Sequence, residues 1–508
     1  MIKIQNLKIH QRAVENSPLL NIPELKIEKG KIVFLIGESG SGKSLMLSSI
    51  AGWKKEGLNY SGSIKNTIEK DRESLTYEML NGTNRQLSKF RKQHLGYIMQ
   101  QPYAAMNPTM KLGNQILEKR IQPLNTRKHK KQKYDELSEL LLELHLNEPE
   151  RMLNAYPYEL SGGQLQRMVV AMALQNQPEL VLADEPTSAL DIETKEQMIS
   201  LLVKICREKG ISLLISTHEL DMVKRFADEV ICLKSGQIVY RGEPKIEKIT
   251  NNHTLSMFKT FDLYYEENQT SIIETPKIKT NTNTNNLLNI KDLSFFYKSN
   301  NLVKNGIRNL VFDGLNFKSK EGCRIGIWGK SGSGKSTLAK IISGLETPEH
   351  GEILFRNRKY SYGIRESTYP KIQMVFQDPY SSFNPIRTIE KQIMEVAIDK
   401  SGKKIKNLLG QFGLNAAMAD RFPHQLSGGQ LQRFALIRVL LSEPEGLIMD
   451  EFVTGLDVHW KLKIIEEVKR YLLSRDLSIW VISHEMRLLH HLCNEIFILK
   501  NGRLKLLN

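Results

Sequence analysis

Cysteine is scarce in this chain: Cys206, Cys232, Cys323 and Cys493 are the only four in 508 residues. No two of them form a C-x-x-C pair, so there is no zinc or iron–sulfur spacing and no disulfide framework. Free, mostly buried thiols are expected. Also missing is an uninterrupted apolar run of the roughly 20 residues needed to cross a bilayer. The N-terminus, Met1-Ile2-Lys3-Ile4-Gln5, reads as a first strand and lacks the apolar core of a secretory signal. A protein made and kept in the cytoplasm is therefore expected. Sustained heptads are absent too, which leaves no long coiled-coil insertion. What remains is an ordinary globular composition, 40% hydrophobic and 25% charged. The length is too great for one core, so at least two domains are expected.

Charge of one sign is in excess: 72 Lys and Arg against 56 Asp and Glu give a net +16. Nucleic acid, anionic lipid or acidic ligands all fit such a balance. Part of the excess is local, in Arg127-Lys128-His129-Lys130-Lys131-Gln132-Lys133. That run reads first as a solvated face, and second as a contact for lipid headgroups beside a membrane partner.

The most informative stretch is Gly37-Glu38-Ser39-Gly40-Ser41-Gly42-Lys43-Ser44, which fits G-x-x-x-x-G-K-[ST] at every fixed position. An apolar run, Ile32–Ile36, enters it as a strand, and Leu45–Ile50 leaves it as a helix. Read alone, a Gly/Ser-rich stretch is a surface turn; this strand–loop–helix setting makes it a phosphate cradle. The glycines let backbone N–H groups close on an anion at a helix N-terminus. Lys43 is expected on the β- and γ-phosphates and Ser44 on Mg²⁺.

The same stretch returns as Gly329-Lys330-Ser331-Gly332-Ser333-Gly334-Lys335-Ser336, followed by Thr337. Leu160-Ser161-Gly162-Gly163-Gln164-Leu165-Gln166-Arg167 returns unchanged as Leu426-Ser427-Gly428-Gly429-Gln430-Leu431-Gln432-Arg433. Ala183-Asp184-Glu185 returns as Met449-Asp450-Glu451, and Ser216-Thr217-His218-Glu219 as Ile482-Ser483-His484-Glu485. The last three blocks share one offset of 266 residues. Lys43 and Lys335 lie 292 apart, and Gln100 and Gln377 lie 277 apart. The chain is thus a duplicated domain whose length changes fall in two surface regions. The copies are expected over 1–265 and 287–508. The polar Asn/Thr-rich segment 266–286 is expected as a flexible linker.

Apolar runs ending in adjacent acids, at Asp184-Glu185 and Asp450-Glu451, suit strands that deliver carboxylates to a magnesium–nucleotide site. The first acid would hold the metal shell and the second would act as general base on water. Ser161-Gly162-Gly163 and Ser427-Gly428-Gly429 open amphipathic helices whose N-termini suit a γ-phosphate. His218 and His484 follow the apolar runs Leu213-Leu214-Ile215 and Trp480-Val481-Ile482, a strand-end position.

Phosphate loop, Gln100, Leu-Ser-Gly-Gly-Gln, Asp-Glu and a late histidine, in that order, resemble the ATP-binding cassette of ABC transporters, twice over nearly the whole chain. The resemblance implies an α/β fold class: two tandem nucleotide-binding domains, each a P-loop NTPase core with an antiparallel β subdomain and a helical subdomain. It implies a head-to-tail intramolecular dimer of cassettes with two ATP and Mg²⁺. One site would join Lys43, Ser44, Gln100, Asp184, Glu185 and His218 to Ser427, Gly428, Gly429 and Gln430. The other would join Lys335, Ser336, Gln377, Asp450, Glu451 and His484 to Ser161, Gly162, Gly163 and Gln164. Ser44, Gln100 and Asp184, and likewise Ser336, Gln377 and Asp450, are the implied metal residues. Tyr297 sits where the family stacks an aromatic on adenine, whereas the first copy has Gln11 there, beside His10. Phe452-Val453 replaces Pro186-Thr187 after the acids; Asp191 and Asp457 of the next turn are retained.

Gln100-Gln101-Pro102-Tyr103 to Asn107-Pro108, and Gln377-Asp378-Pro379-Tyr380 to Asn384-Pro385, resemble the peptide/nickel branch of ABC importers. The resemblance implies an ATPase subunit peripheral to the cytoplasmic face of the membrane. Its partners would be two membrane permease subunits, docked through coupling helices, and indirectly an extracellular solute-binding protein. The solute would be a metal, a metal chelate or a small peptide. The chain ends soon after its last strand, without the cysteine-bearing extension of many peptide-type subunits, which leans the expectation toward metal. The rival class is a soluble two-cassette ATPase on ribosomes or nucleic acid. The short Asn/Thr linker argues against it, so no nucleic-acid partner is expected.

Overall fold

The computed structural model describes residues 1–12, 18–38, 40–70, 73–118, 127–187, 192–266, 286–298, 308–330, 332–359, 372–399, 402–454, 456, 458–473, 475 and 477–507. Ser39, Ser331, Asp191, Asp457 and most of the expected linker lie outside them. So do the side chains of 127–130 and 133 in the basic run, whose backbone is the start of helix Arg127–Glu143. The chain divides into two compact units, Met1–Asp262 and Leu263–Asn508.

Each unit holds a six-stranded sheet of the same order. In the first it runs Gln237–Gly242, Glu229–Lys234, Ile32–Ile36, Ser212–Ser216, Leu180–Asp184, Leu95–Ile98. All neighbours are parallel except the outermost pair at the Gln237–Gly242 edge. In the second it runs Arg503–Leu506, Glu495–Lys500, Arg324–Trp328, Ser478–Ile482, Gly446–Asp450, Ile372–Val375, with only the first pair antiparallel. Parallel strands covered on both faces read as continuous apolar runs rather than alternations. Ile32–Ile36 and Ser212–Ser216 are buried at every residue. Gly446 makes room for one large core ring, since a Cβ there would stand 2.8 Å from Cζ3 of the fully buried Trp480.

A separate four-stranded antiparallel sheet accompanies each. It is built from Leu20–Ile27, Ile2–Gln11, Leu58–Lys70 and Glu73–Glu78 in the first unit. In the second it is Arg308–Lys320, Asn286–Lys298, His350–Phe355 and Arg358–Lys359. A helical region follows the glutamine segment in each. The shorter second copy has the nine-residue helix Lys403–Gln411 where the first has the 17-residue Arg127–Glu143.

Cys206, Cys232 and Cys493 are buried and Cys323 is half-buried, all as free thiols. Burial pushes Cys206 up to about 12 and Cys323 to about 11, so these are inert packing residues. Among the described residues no helix is long and apolar enough to cross a membrane.

The strand order places chemistry at one edge. Ile32–Ile36 lies between Ser212–Ser216 and Glu229–Lys234: the chain leaves it toward the Leu95–Ile98 edge of the sheet, whereas the connection after Ser212–Ser216 crosses back over it to Glu229–Lys234. Ligands in such sheets bind outside the carboxyl ends of strands at that switch point. Gly37, Glu185 and His218 all follow those ends, as do Gly329, Glu451 and His484 in the second unit.

Candidate nucleotide sites

In the first unit the loop after Ile36 turns at Gly37, whose φ is 150°. A Cβ there would stand 2.3 Å from the Leu233 carbonyl oxygen, so only glycine fits. Gly42, at φ 104°, starts helix Lys43–Ile50 with no side-chain cap, leaving the first-turn N–H groups for a ligand. Lys43 is 7% exposed, and its Nζ donates to the carbonyls of Gly37 at 2.7 Å and Glu38 at 3.1 Å. Those bonds hold the ammonium over the loop's hollow. The second loop repeats this: Gly334 at φ 98° starts helix Lys335–Ile342, and Lys335 Nζ donates to Gly329 at 2.7 Å and Lys330 at 2.9 Å. The hydroxyls of Ser41 and Ser333 are buried with no hydrogen-bond partner among the described residues, as a phosphate cradle requires.

The acids stand at the ends of the neighbouring strands. Glu185 and Glu451 are held in the left-handed region, at φ 42° and 48°, an uncommon conformation for glutamate and a form of strain concentrated at functional sites. Glu185 N–H is bound by Ser216 O at 3.1 Å, and Glu451 N–H by Ile482 O at 3.0 Å. Ser44 Oγ donates to Asp184 Oδ1 at 2.9 Å, joining loop and strand.

The two glutamates differ in their partners. Glu185 accepts from Gln100 Nε2 at 3.0 Å, with His218 Nδ1 at 3.7 Å from its other oxygen. Glu451 instead is bound by both the backbone N–H (3.0 Å) and Nδ1 (2.7 Å) of His484 and by Thr454 Oγ1 at 3.1 Å. Burial pushes both carboxyls up, but the adjacent histidine, hydrogen-bonded to Glu451 and 3.7 Å from Glu185, outweighs it. Lys43 adds to the effect at Glu185. Both therefore sit below the usual glutamate range and are ionised at neutral pH, as a general base must be. Asp450 goes the other way. Burial pushes it up to about 6, Glu451 pushes in the same direction, and the Ser336 hydroxyl opposes.

Ser161 and Ser427 cap the helices Gly162–Leu174 and Gly428–Leu441. Each hydroxyl accepts from the glutamine N–H three residues on, at 3.3 Å. The Gln164 and Gln430 side chains fold back onto the serine N–H groups at 3.1 and 3.0 Å. The capping box thus engages both glutamine side chains, while each serine hydroxyl keeps its proton for a ligand. An open cavity of about 530 Å³ borders Ser161, Gly163, Gln164 and Arg167. Tyr297 is 40% exposed, with its OH 3.2 Å from Thr337 Oγ1 and its ring edge-on to Phe295. Gln11 is an exposed strand residue with no ring to offer.

Two pairs escaped motif reading. Lys195 bonds Glu219 at 2.6 Å, bracing the residue after His218, and Lys461 pairs with Glu485 in the second unit. The 266-residue offset relates these lysines as well and could have found them.

A family profile described as ABC transporter matches residues 20–188 and again 312–454. The chain belongs to the ABC transporter family. Among relatives, the peptidoglycan transport ATP-binding protein YejF of Agrobacterium fabrum is 30% identical over 93% of this chain and 86% of its own length. The glutathione import ATP-binding protein GsiA of Salmonella choleraesuis is 27% identical over 98% and 84%. The oligopeptide transport ATP-binding protein OppD of Mycobacterium tuberculosis is 28% identical over 94% and 89%. The solved archaeal ribosome recycling factor aABCE1, in complex with ribosomal stalk protein aP1, matches the fold over 98% of this chain and 89% of its own. Its TM-score is 0.59 at 19% identity, a likeness of fold. The chain is accordingly an ATP-binding ATPase with two ABC cassettes.

Among the described residues no cluster of three or more His, Cys, Asp and Glu is arranged to hold a metal. The donors fit a different scheme. A hydroxyl, an amide and one carboxylate per cassette suit Mg²⁺, which keeps waters and takes phosphate oxygens to complete its shell. Asp450 Oδ1 is buried without a hydrogen-bond partner among the described residues, an orphan that a cation's shell would satisfy. Ser44, Asp184 and Gln100, and Ser336, Asp450 and Gln377, would hold the ion. When bound, it would neutralise phosphate charge.

Proposed function

We propose that this protein is the ATPase subunit of a small-peptide importer, working on the cytoplasmic face of the membrane with two separate permease subunits. An extracellular solute-binding protein would deliver the peptide to them. Each cassette's phosphate loop would be completed by the other's signature serine and glycines, Ser427-Gly428-Gly429 for Lys43 and Ser161-Gly162-Gly163 for Lys335. Lys43 and Lys335 would hold the phosphates. Glu185 and Glu451 would each take a proton from water, with His218, His484, Gln100 and Gln377 orienting the groups around it. Ionised carboxylates at neutral pH support that role. Tyr297 would stack on adenine in the second cassette's site, and Gln11 leaves the first without a ring.

The observation that carries the importer reading is the segment after each catalytic glutamine. Pro102–Ala105 and Pro379–Ser382 form matching single turns with Tyr103 54% and Tyr380 49% exposed. Their hydroxyls donate to Leu160 O at 3.5 Å and Leu426 O at 3.4 Å, just before each signature serine. A partner helix seated on these tyrosines would sense the glutamine and the signature together, so closure on ATP and reopening after hydrolysis would move it. The relatives named for peptidoglycan, glutathione and oligopeptide transport favour a peptide over a metal or metal chelate as solute.

Deleting the gene is expected to abolish uptake of a radiolabelled di- or tripeptide, with restoration by the intact gene but not by the Glu185→Gln/Glu451→Gln double variant. The protein should also co-purify with two integral membrane subunits from detergent extracts. Unchanged peptide uptake, together with ribosome co-sedimentation that survives a salt series, would favour the ribosomal reading instead.

A further inference from the structure

The two cassettes differ at one buried position beside the metal carboxylate. In the first, Ser216 is fully buried and its hydroxyl makes two bonds: it donates to Asp184 Oδ1 at 2.6 Å and accepts from Glu185 N–H at 3.0 Å. Asp184 Oδ1 also accepts from Ser44 Oγ, so that oxygen carries two hydroxyl donors. The residue at the same offset in the second cassette is Ile482, 1% exposed, which has no hydroxyl. Asp450 is 3% exposed there, and its Oδ1 has no hydrogen-bond partner among the described residues.

We propose that Ser216 is a positioning residue that makes the two metal sites unequal, the first cassette binding the nucleotide's divalent cation more weakly than the second. The inequality is electrostatic in origin. Hydrogen bonds donated to a buried carboxylate stabilise its negative charge and so reduce what a cation gains by approaching it. Each carboxylate has the hydroxyl of its own phosphate loop, Ser44 at Asp184 and Ser336 at Asp450. Asp184 has Ser216 as a further donor, whereas Asp450 Oδ1 stays bare and desolvated, free for a cation's shell. One hydrogen bond to a charged group corresponds to a difference of about tenfold in affinity.

This inference rests on the assignment of Asp184 and Asp450 as metal-shell residues. The test is a Mn²⁺ titration of the full chain followed by electron paramagnetic resonance, with a non-hydrolysable ATP analogue at saturation. Two classes of bound Mn²⁺ are expected, separated by about tenfold. Ser216→Ala should shift only the weaker class, to the tighter value. Ile482→Ser should shift only the tighter class, toward the weaker value. Asp184→Asn and Asp450→Asn should each remove one class. Loss of neither class in the asparagine variants overturns the metal-shell assignment itself. If those variants do remove a class each, then an unmoved weak class in Ser216→Ala, or a weakened one, overturns the inequality alone. Retained analogue binding without metal serves as the folding control for each variant.

Discussion

Replacing Glu185 and Glu451 together with glutamine is expected to lower steady-state ATP turnover by about two orders of magnitude or more, with ATP binding retained. Glutamine keeps the shape of the side chain and can still accept hydrogen bonds, so the left-handed turns at these positions and their backbone bonds survive. What is lost is the ability to take a proton. Both carboxyls lie below the usual range: burial raises them, but the neighbouring histidine more than compensates. In the proposed role of base, each carboxylate is therefore already in its working form at neutral pH. Each single substitution should also slow turnover, because nothing in the loops, acids or histidines marks either cassette as inactive. Phosphate release under saturating Mg-ATP, set against equilibrium binding of a fluorescent analogue, reads the two quantities separately. Near-normal release in the double variant would remove both glutamates from the role of base.

Asp450→Asn is expected to stabilise the second cassette at neutral pH. A folded-state pKa of about 6 stands above the ordinary 3.8, with burial as the main cause and Glu451 adding to it. The folded protein therefore takes up a proton relative to the unfolded chain between those values. Its unfolding free energy falls as pH rises through that window, and the full penalty applies above about pH 6. A shift of this size corresponds to about 3 kcal/mol. Asparagine carries no charge, so it should recover most of that at pH 7.5 and little at pH 4. Three of the four tryptophans, Trp328, Trp460 and Trp480, lie in the second unit, so denaturation followed by tryptophan fluorescence reports chiefly on it. A variant no more stable than the parent at pH 7.5, or equally stabilised at pH 4, would show that Asp450 is not strained by desolvation.

The duplication and both phosphate loops were legible in the sequence because their constraints are local. Gly37 and Gly42 take backbone angles that disfavour side chains, and lysine and serine must follow at fixed steps. The parallel strands were legible as apolar runs because both faces are covered. Other features needed the third dimension. That Gln164 folds back to cap its own helix depends on the serine's φ and ψ, which the repeated letters do not reveal. The different settings of Glu185 and Glu451 arise largely from side chains distant in sequence, Gln100 in one case and His484 in the other, with the nearby Thr454 adding a bond to Glu451. The exchange of Ser216 for Ile482 was visible as letters. Its consequence is not, because only folding brings Ser216 Oγ within 2.6 Å of Asp184.

The central claim is that the two cassettes complete each other's nucleotide sites. It is tested most directly by crosslinking in the slow Glu185→Gln/Glu451→Gln background, with the four native cysteines replaced. Cysteines would be placed at Glu38 and Gly428 in one variant and at Lys330 and Gly162 in another. Gly428 and Gly162 have no neighbour within 4 Å of an added Cβ, so both accept the change. ATP is expected to make a short bismaleimide join each pair within one chain, and removal of ATP to abolish the product. Failure of both pairs to react with ATP bound would contradict the claim.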